Sequence, residues 1–162
     1  MYYGFKGVIV MYRHTEDFLA EWQNAAKGAT KAIEAITNEA QDIAIVEGHN
    51  TLGWLAWHLV EVGTMFSNVV GCTLPAVKAD RDMAHALASY TAMQSAIADK
   101  VKTLTNEDLL QPVTLFGSDM PRGQVLRILV NHQTHHVGQM TVLLRQADLR
   151  VPPVMGPTKE MQ

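Results

Sequence analysis

Residues 124–147, QVLRILVNHQTHHVGQMTVLLRQA, decide the fold. Apolar residues recur there every three or four positions, which is the spacing of one face of an α-helix. Each residue advances about 100° around a helix, which centres the apolar stripe about 70° from His132. His136 falls inside this stripe at about 40°, and His132 lies in its near half, whereas His135 falls on the flank at about −60°. The stretch therefore predicts a helix that turns His132 and His136 toward a core.

Three further segments show the same helical spacing of apolar residues. Asn50 or Thr51 is the predicted cap at the start of the second segment, and Gly71 is its predicted stop. The three segments are residues 15–36, 51–70 and 80–104.

The connecting segments contain no convincing set of strands. Residues 105–123 form a connector with several prolines and glycines, in which residues 112–117 could be a short extended piece. The prolines at positions 152, 153 and 157 exclude a helix over residues 151–157 and indicate an extended tail. The sequence therefore predicts an all-α fold, a four-helix bundle with long connections and an extended C-terminal tail, in one domain over residues 1–162.

A third histidine, His58, lies close to the middle of the apolar stripe of the second helix, near Trp54 and Val62. An imidazole in such a stripe costs free energy unless its nitrogens are satisfied, and neutral imidazole is the commonest metal ligand. The i, i+4 spacing of His132 and His136 places two imidazoles about 6 Å apart along one helix, so both can bind one ion. We therefore predict one metal ion held by His58, His132 and His136, with the fourth tetrahedral position open as in catalytic sites. The alternative is a core in which these histidines are satisfied by hydrogen bonds.

Two other residues are candidates for a catalytic role. Glu61 follows His58 by one turn, at about −60°. It could orient a histidine, bind the ion or act as a base toward bound water, or it could be an ordinary solvated carboxylate. His135 could contact the substrate or lie at a helix interface. His14, His49 and His85 have no comparable partners in the sequence.

Composition excludes several classes of protein. The 162 residues carry a net charge of −3 and show no lysine or arginine block, so we expect no nucleic-acid partner. The single cysteine, Cys72, excludes an intramolecular disulfide and a cysteine-rich zinc site. No apolar stretch approaches the roughly 20 residues of a membrane span, and residues 1–10 lack the features of a signal peptide. We therefore expect a cytoplasmic protein without a membrane partner.

The two histidine segments resemble the DinB-like (DinB/YfiT) family of metal-binding four-helix bundles. A double leucine with Arg145 and a Pro152-Pro153 tail also fit. Val137 departs from the family pattern, in which an arginine is frequent at this position. The segments that carry the resemblance are GWLAWHL at residues 53–59 and NHQTHHVGQ at residues 131–139.

The resemblance implies metal ligands at His58, His132 and His136 and a divalent ion, most often zinc or nickel. It also implies a homodimer and, in some relatives, transferase or isomerase activity that depends on a low-molecular-weight thiol. Our first hypothesis is accordingly a thiol S-transferase-like enzyme, in which the ion binds the thiol as a thiolate and presents it to a small-molecule substrate. In this hypothesis Trp54, Met65 and Met140 shape the pocket.

Three alternatives stay open on the sequence alone. The first is hydrolysis by metal-activated water. The second is a non-enzymatic metal-binding or stress-response protein, and the third is a plain interaction bundle whose histidines are satisfied internally.

Overall fold

The computed structural model describes residues 10–161, so the signal-peptide prediction for the first residues falls largely outside the described part of the chain. Four α-helices dominate the fold, each within three residues of its predicted bounds. They are α1 (Thr15–Glu34), α2 (Leu52–Val69), α3 (Met83–Lys102) and α4 (Arg122–Gln146). The predicted four-helix bundle is confirmed.

The helices do not all pack against their neighbours in sequence. Both α1 and α2 pack against α3 and against α4. The chain therefore crosses the bundle between α1 and α2 and again between α3 and α4, whereas α2 and α3 are neighbours. This arrangement sets α2 beside α4, the two helices that carry the three histidines.

Local sequence signals set the ends of α2 and α3. The Thr51 hydroxyl oxygen accepts a hydrogen bond from the Trp54 amide over 3.1 Å, so Thr51 is the cap of α2. Gly71 follows α2 with a φ of 82°, a left-handed conformation that glycine adopts at helix ends. The start of α3 is later than predicted because Asp82 caps it, accepting from the Ala84 amide over 3.0 Å.

A small antiparallel hairpin lies between α3 and α4. Strands β1 (Pro112–Leu115) and β2 (Ser118–Pro121) pair with Leu115 opposite Ser118. The two-residue turn has φ of 51° at Phe116 and 77° at Gly117, as a type I′ turn requires. The predicted extended piece is therefore the first half of a hairpin.

Gly123 lets the segment before α1 pack against the start of α4. A Cβ at this position would lie 2.0 Å from the carbonyl oxygen of Tyr12. The Tyr12 amide also donates to the Gly123 carbonyl over 3.2 Å. Only a residue without a side chain permits this approach.

The C-terminal tail has no regular structure from residue 149 to residue 158 and ends in a short 3-10 turn at Lys159–Met161. Val151 anchors the tail in the core with 1% of its surface exposed. The ion pair between Arg145 and Glu160, at 3.2 Å, ties its end to α4. Within residues 10–161, none of the helices has both the length and the apolarity that a bilayer crossing demands.

Candidate metal centre

Three imidazoles from α2 and α4 point their Nε2 atoms at one another. His132 Nε2 lies 3.0 Å from His58 Nε2 and 3.1 Å from His136 Nε2. One ligand atom of each histidine lies within 4.8 Å of those of the other two. In the described part of the chain this is the one group of three or more histidine, cysteine or acidic residues so arranged. The structure thus brings the three predicted ligands together.

This convergence fits a metal ion. Zinc–nitrogen bonds of 2.0–2.1 Å in a tetrahedral site place neighbouring ligand nitrogens roughly 3.3 Å apart, close to the two observed separations. A ring nitrogen offers either one proton or one lone pair. Three nitrogens that face each other are poorly satisfied by protons alone, whereas a shared cation satisfies three lone pairs at once.

Gln139 fixes the tautomer of His136. The Nδ1 atom of His136 donates to the Gln139 side-chain oxygen over 2.7 Å. The proton is therefore on Nδ1, and Nε2 keeps its lone pair for the ion. Sequence reasoning missed Gln139, although its i+3 spacing from His136 is the signal that could have identified it.

Local electrostatics favour neutral imidazoles. Burial, with repulsion from His136, His58 and His135, lowers the pKa of His132 from 6.5 to about 4. Burial also lowers the pKa of His58 and that of His136. All three rings are therefore neutral at neutral pH, which is the form that binds metal.

The histidines lie at the border of the core and not well inside it, which corrects the sequence interpretation. The buried face of α4 runs through Gln133, Val137 and Met140, so its centre lies about 100° from His132. His58, His132 and His136 are half-buried in consequence. One side of the triad therefore faces solvent.

Trp54 borders the site on α2, as predicted. Its ring stacks on that of His58 with centroids 4.4 Å apart, and 44% of its surface is exposed. The prediction for the other two lining residues is wrong. Met140 is fully buried among core residues, and Met65 is 36% exposed two turns beyond His58.

The two catalytic candidates occupy different places. Glu61 is exposed and lines a groove together with Trp54, Trp57 and Asp80, and it is not a member of the metal-ligating group. His135 is exposed beside the site, with its ring centroid 4.9 Å from that of His136. His85 lies elsewhere and binds Asp80 through Nδ1 over 2.7 Å.

The DinB family model matches residues 11–162. The uncharacterized protein YrdA of Bacillus subtilis is 35% identical over 155 residues, which cover 93% of each chain. These matches reach over both histidine segments and the whole bundle.

Solved structures share the fold. A DinB-like protein from Bacillus cereus superposes with a TM-score of 0.82 at 33% identity, over 88% of this chain and 98% of that one. YfiT from Bacillus subtilis, reported as a probable metal-dependent hydrolase with an unusual four-helix bundle topology, superposes with a TM-score of 0.67 at 16% identity. That match covers 91% of this chain and 94% of YfiT.

Proposed function

This chain belongs to the DinB family, and we propose that it is a divalent-metal-dependent enzyme that acts on a small organic molecule. The observation that carries the proposal is the convergence of three neutral imidazoles at a half-exposed site. A divalent ion held there by the three histidines would lower the pKa of a bound thiol or water molecule and so would supply a nucleophile at neutral pH. Imidazole suits zinc, nickel, copper and iron alike, so the choice of zinc or nickel rests on the resemblance to the DinB-like family.

The roles of the protein groups follow from their contacts. His58, His132 and His136 hold the ion, and Gln139 orients His136 through its Nδ1 proton. Trp54 covers one side of the site by stacking on His58. These contacts fix the ligands before the substrate arrives, so little reorganisation is needed.

Two reactions use this nucleophile, and we propose both for test. The first is thiol S-transfer, in which a low-molecular-weight thiol gives up its proton, its sulfur forms a bond to an electrophilic carbon, and the group displaced from that carbon leaves with the bonding electron pair. The second is hydrolysis, which is suggested by the description of YfiT as a probable metal-dependent hydrolase. Of the two catalytic candidates, we assign His135 a substrate contact because of its place beside His136.

Turnover tests the enzyme proposal. The full chain is loaded with zinc or nickel and assayed for transfer of glutathione, cysteine or coenzyme A to chlorodinitrobenzene, and for hydrolysis of p-nitrophenyl esters. His132→Ala is the control for background reaction. We expect metal-dependent turnover in at least one assay, and rates equal to those of His132→Ala in all of them would overturn the proposal.

A second candidate function is non-enzymatic metal binding. One observation favours it, since no Asp or Glu of the described residues joins the metal-ligating group to act as a general base. In that case the bound ion would stabilise the bundle or signal to a partner. Exchange of a solvent molecule at the bound ion, measured by water relaxation with a paramagnetic metal, would favour catalysis, and its absence would favour this alternative.

The assembly and location of the chain belong to the same proposal. We propose a homodimer that works in the cytoplasm without nucleic-acid or membrane partners. Sedimentation of the metal-loaded chain tests the dimer directly.

A further inference from the structure

We propose that the cavity between the 45–50 loop and α4 binds the uncharged, apolar part of the substrate. This assignment deepens the proposed function, on which it rests, because it gives the metal centre a substrate class. The cavity has a volume of about 360 Å³, within the range of ligand sites. Its principal lining residues are Ile45, His49, Leu55, Gln139, Val142 and Leu143.

The lining changes from a buried floor to an exposed rim. Leu55 and Leu143 form the floor, with 1% and 4% of their surfaces exposed. Ile45 and Val142 form the rim, and they expose 60% and 46%. Apolar surface left in contact with water at a concave site marks a place where a ligand can cover it.

Both helices lead from the metal centre into this cavity. Leu55 precedes His58 by three residues on α2, and Gln139 follows His136 by three residues on α4. One helical turn is about 5.4 Å long, so the cavity begins roughly one turn from two of the ligands. Gln139 connects the cavity to the metal centre. Its side chain lines the cavity, and its oxygen accepts a hydrogen bond from Nδ1 of His136.

The chemistry of the lining selects the occupant. No Asp, Glu, Lys or Arg of the described chain lines the cavity. A carboxylate, phosphate or ammonium group would therefore exchange part of its hydration for the side chains of His49, Asn50 and Gln139 alone, with no acidic, lysine or arginine side chain as a counter-ion. An apolar cavity of 150 Å³ accepts benzene, so this larger one has room for an aromatic ring or a short aliphatic chain. The matching substrate carries such a group beside its reactive centre, with a neutral polar atom toward Asn50 or Gln139.

A chain-length series tests the cavity without requiring turnover. Acetamide, butanamide and hexanamide are titrated into the zinc-loaded full chain, and binding is followed by the amide NMR signals of Gly48 and Asn50. We expect the affinity to rise by up to about fourfold for each added methylene group, because this is the gain when a methylene group is fully buried. A series in which all three amides bind equally weakly would overturn the proposal.

Matched substitutions on α4 locate the effect. Val142→Trp fills the rim and should abolish the rise in affinity with chain length. Gln146→Trp adds the same ring at an exposed position outside the lining and should keep the rise. If the rise in affinity with chain length disappears in both variants, or in neither, the assignment is contradicted.

A substitution in the 45–50 loop tests the cavity independently, in case Val142→Trp disturbs the folding of α4. Ile45→Asp places a charge on an exposed rim residue outside the helices and should weaken hexanamide at least tenfold. Unchanged hexanamide affinity in this variant would overturn the assignment.

The two proposals fail separately. Amides that bind as expected to a chain without metal-dependent turnover would leave the cavity assignment standing as a binding site and remove the enzyme proposal. Turnover without any preference for chain length would remove only the cavity assignment.

Discussion

His136 donates a hydrogen bond from Nδ1 to the side-chain oxygen of Gln139, one turn further along α4, over 2.7 Å. The contact fixes which ring nitrogen is free for a metal ion. It also connects the metal centre to the cavity beside it, because Gln139 lines that cavity. The first prediction follows from this contact.

Substitution Gln139→Leu should weaken metal binding about 10- to 100-fold, which is the usual cost of losing the partner that orients a metal-bound histidine. Gln139→Glu keeps an oxygen acceptor and should retain binding. Competition with a chromophoric chelator measures both affinities. Equal affinity of wild type and Gln139→Leu would show that the contact does not orient the ligand.

Substitution of any one of His58, His132 and His136 by alanine should abolish stoichiometric binding of metal. Three imidazoles converge on one point, and two of them leave the ion with too few protein ligands. His85→Ala is the control, since His85 is bound to Asp80 away from the site. Metal content is measured on untagged protein by elemental analysis, and equal loss from all four variants would contradict the assignment.

Stability of the metal-free chain should decrease as the pH falls from about 6.5, the ordinary histidine value, toward about 4. The pKa of His132 is lowered to about 4, and those of His58 and His136 are lowered too. In this window the unfolded chain binds more protons than the folded chain, so the free energy of unfolding decreases as the pH is lowered. The contribution of the histidines to stability is complete above about pH 6.5. Urea denaturation across the window measures the slope.

The variant His132→Gln, which removes one titrating ring, should show a shallower slope. Carboxylates with lowered pKa values act at the acid end of this window and below it, since the pKa values of Asp80 and Asp108 start from 3.8 and those of Glu39 and Glu160 from 4.5. A wild-type stability that is constant over the window would contradict the electrostatic account of the triad.

The buried hydrogen bond between Tyr90 and Gln133 should contribute to the stability of the bundle. The Tyr90 hydroxyl donates to the Gln133 oxygen over 2.6 Å, and both residues are almost fully buried. Tyr90→Phe leaves this oxygen without its partner and should cost about 1–3 kcal/mol in the free energy of unfolding.

The double substitution Tyr90→Phe with Gln133→Leu is the matched control, because it removes both polar groups together. It should be less destabilising than the sum of the two single substitutions. Additive effects in urea denaturation would show that the two side chains do not depend on each other.

Much of the fold and of the site followed from the sequence. Helical spacing of apolar residues located α4, and the Thr51 cap and Gly71 stop bounded α2. The i, i+4 spacing of His132 and His136 selected the pair that faces His58 over His135. Each of these features depends on residues that are close in sequence, so it can be predicted without knowing how the helices pack.

Other features depend on contacts that a linear pattern does not contain. The turn of the hairpin places Phe116 at positive φ, where asparagine or aspartate is the usual signal. Gln133 gave no clear expectation from sequence, and its burial depends on Tyr90 from α3. Ala25 and Gly28 of α1 lie beside Gln133 and Val137, so the buried face of α4 includes Gln133 and leaves the histidines at its border.

The most direct test of the central claim is anomalous scattering at the zinc absorption edge from crystals of the zinc-loaded full chain. The account predicts one strong peak about 2.0–2.1 Å from the Nε2 atoms of His58, His132 and His136 together. A peak on any other set of residues, or no peak at full zinc loading, would contradict it.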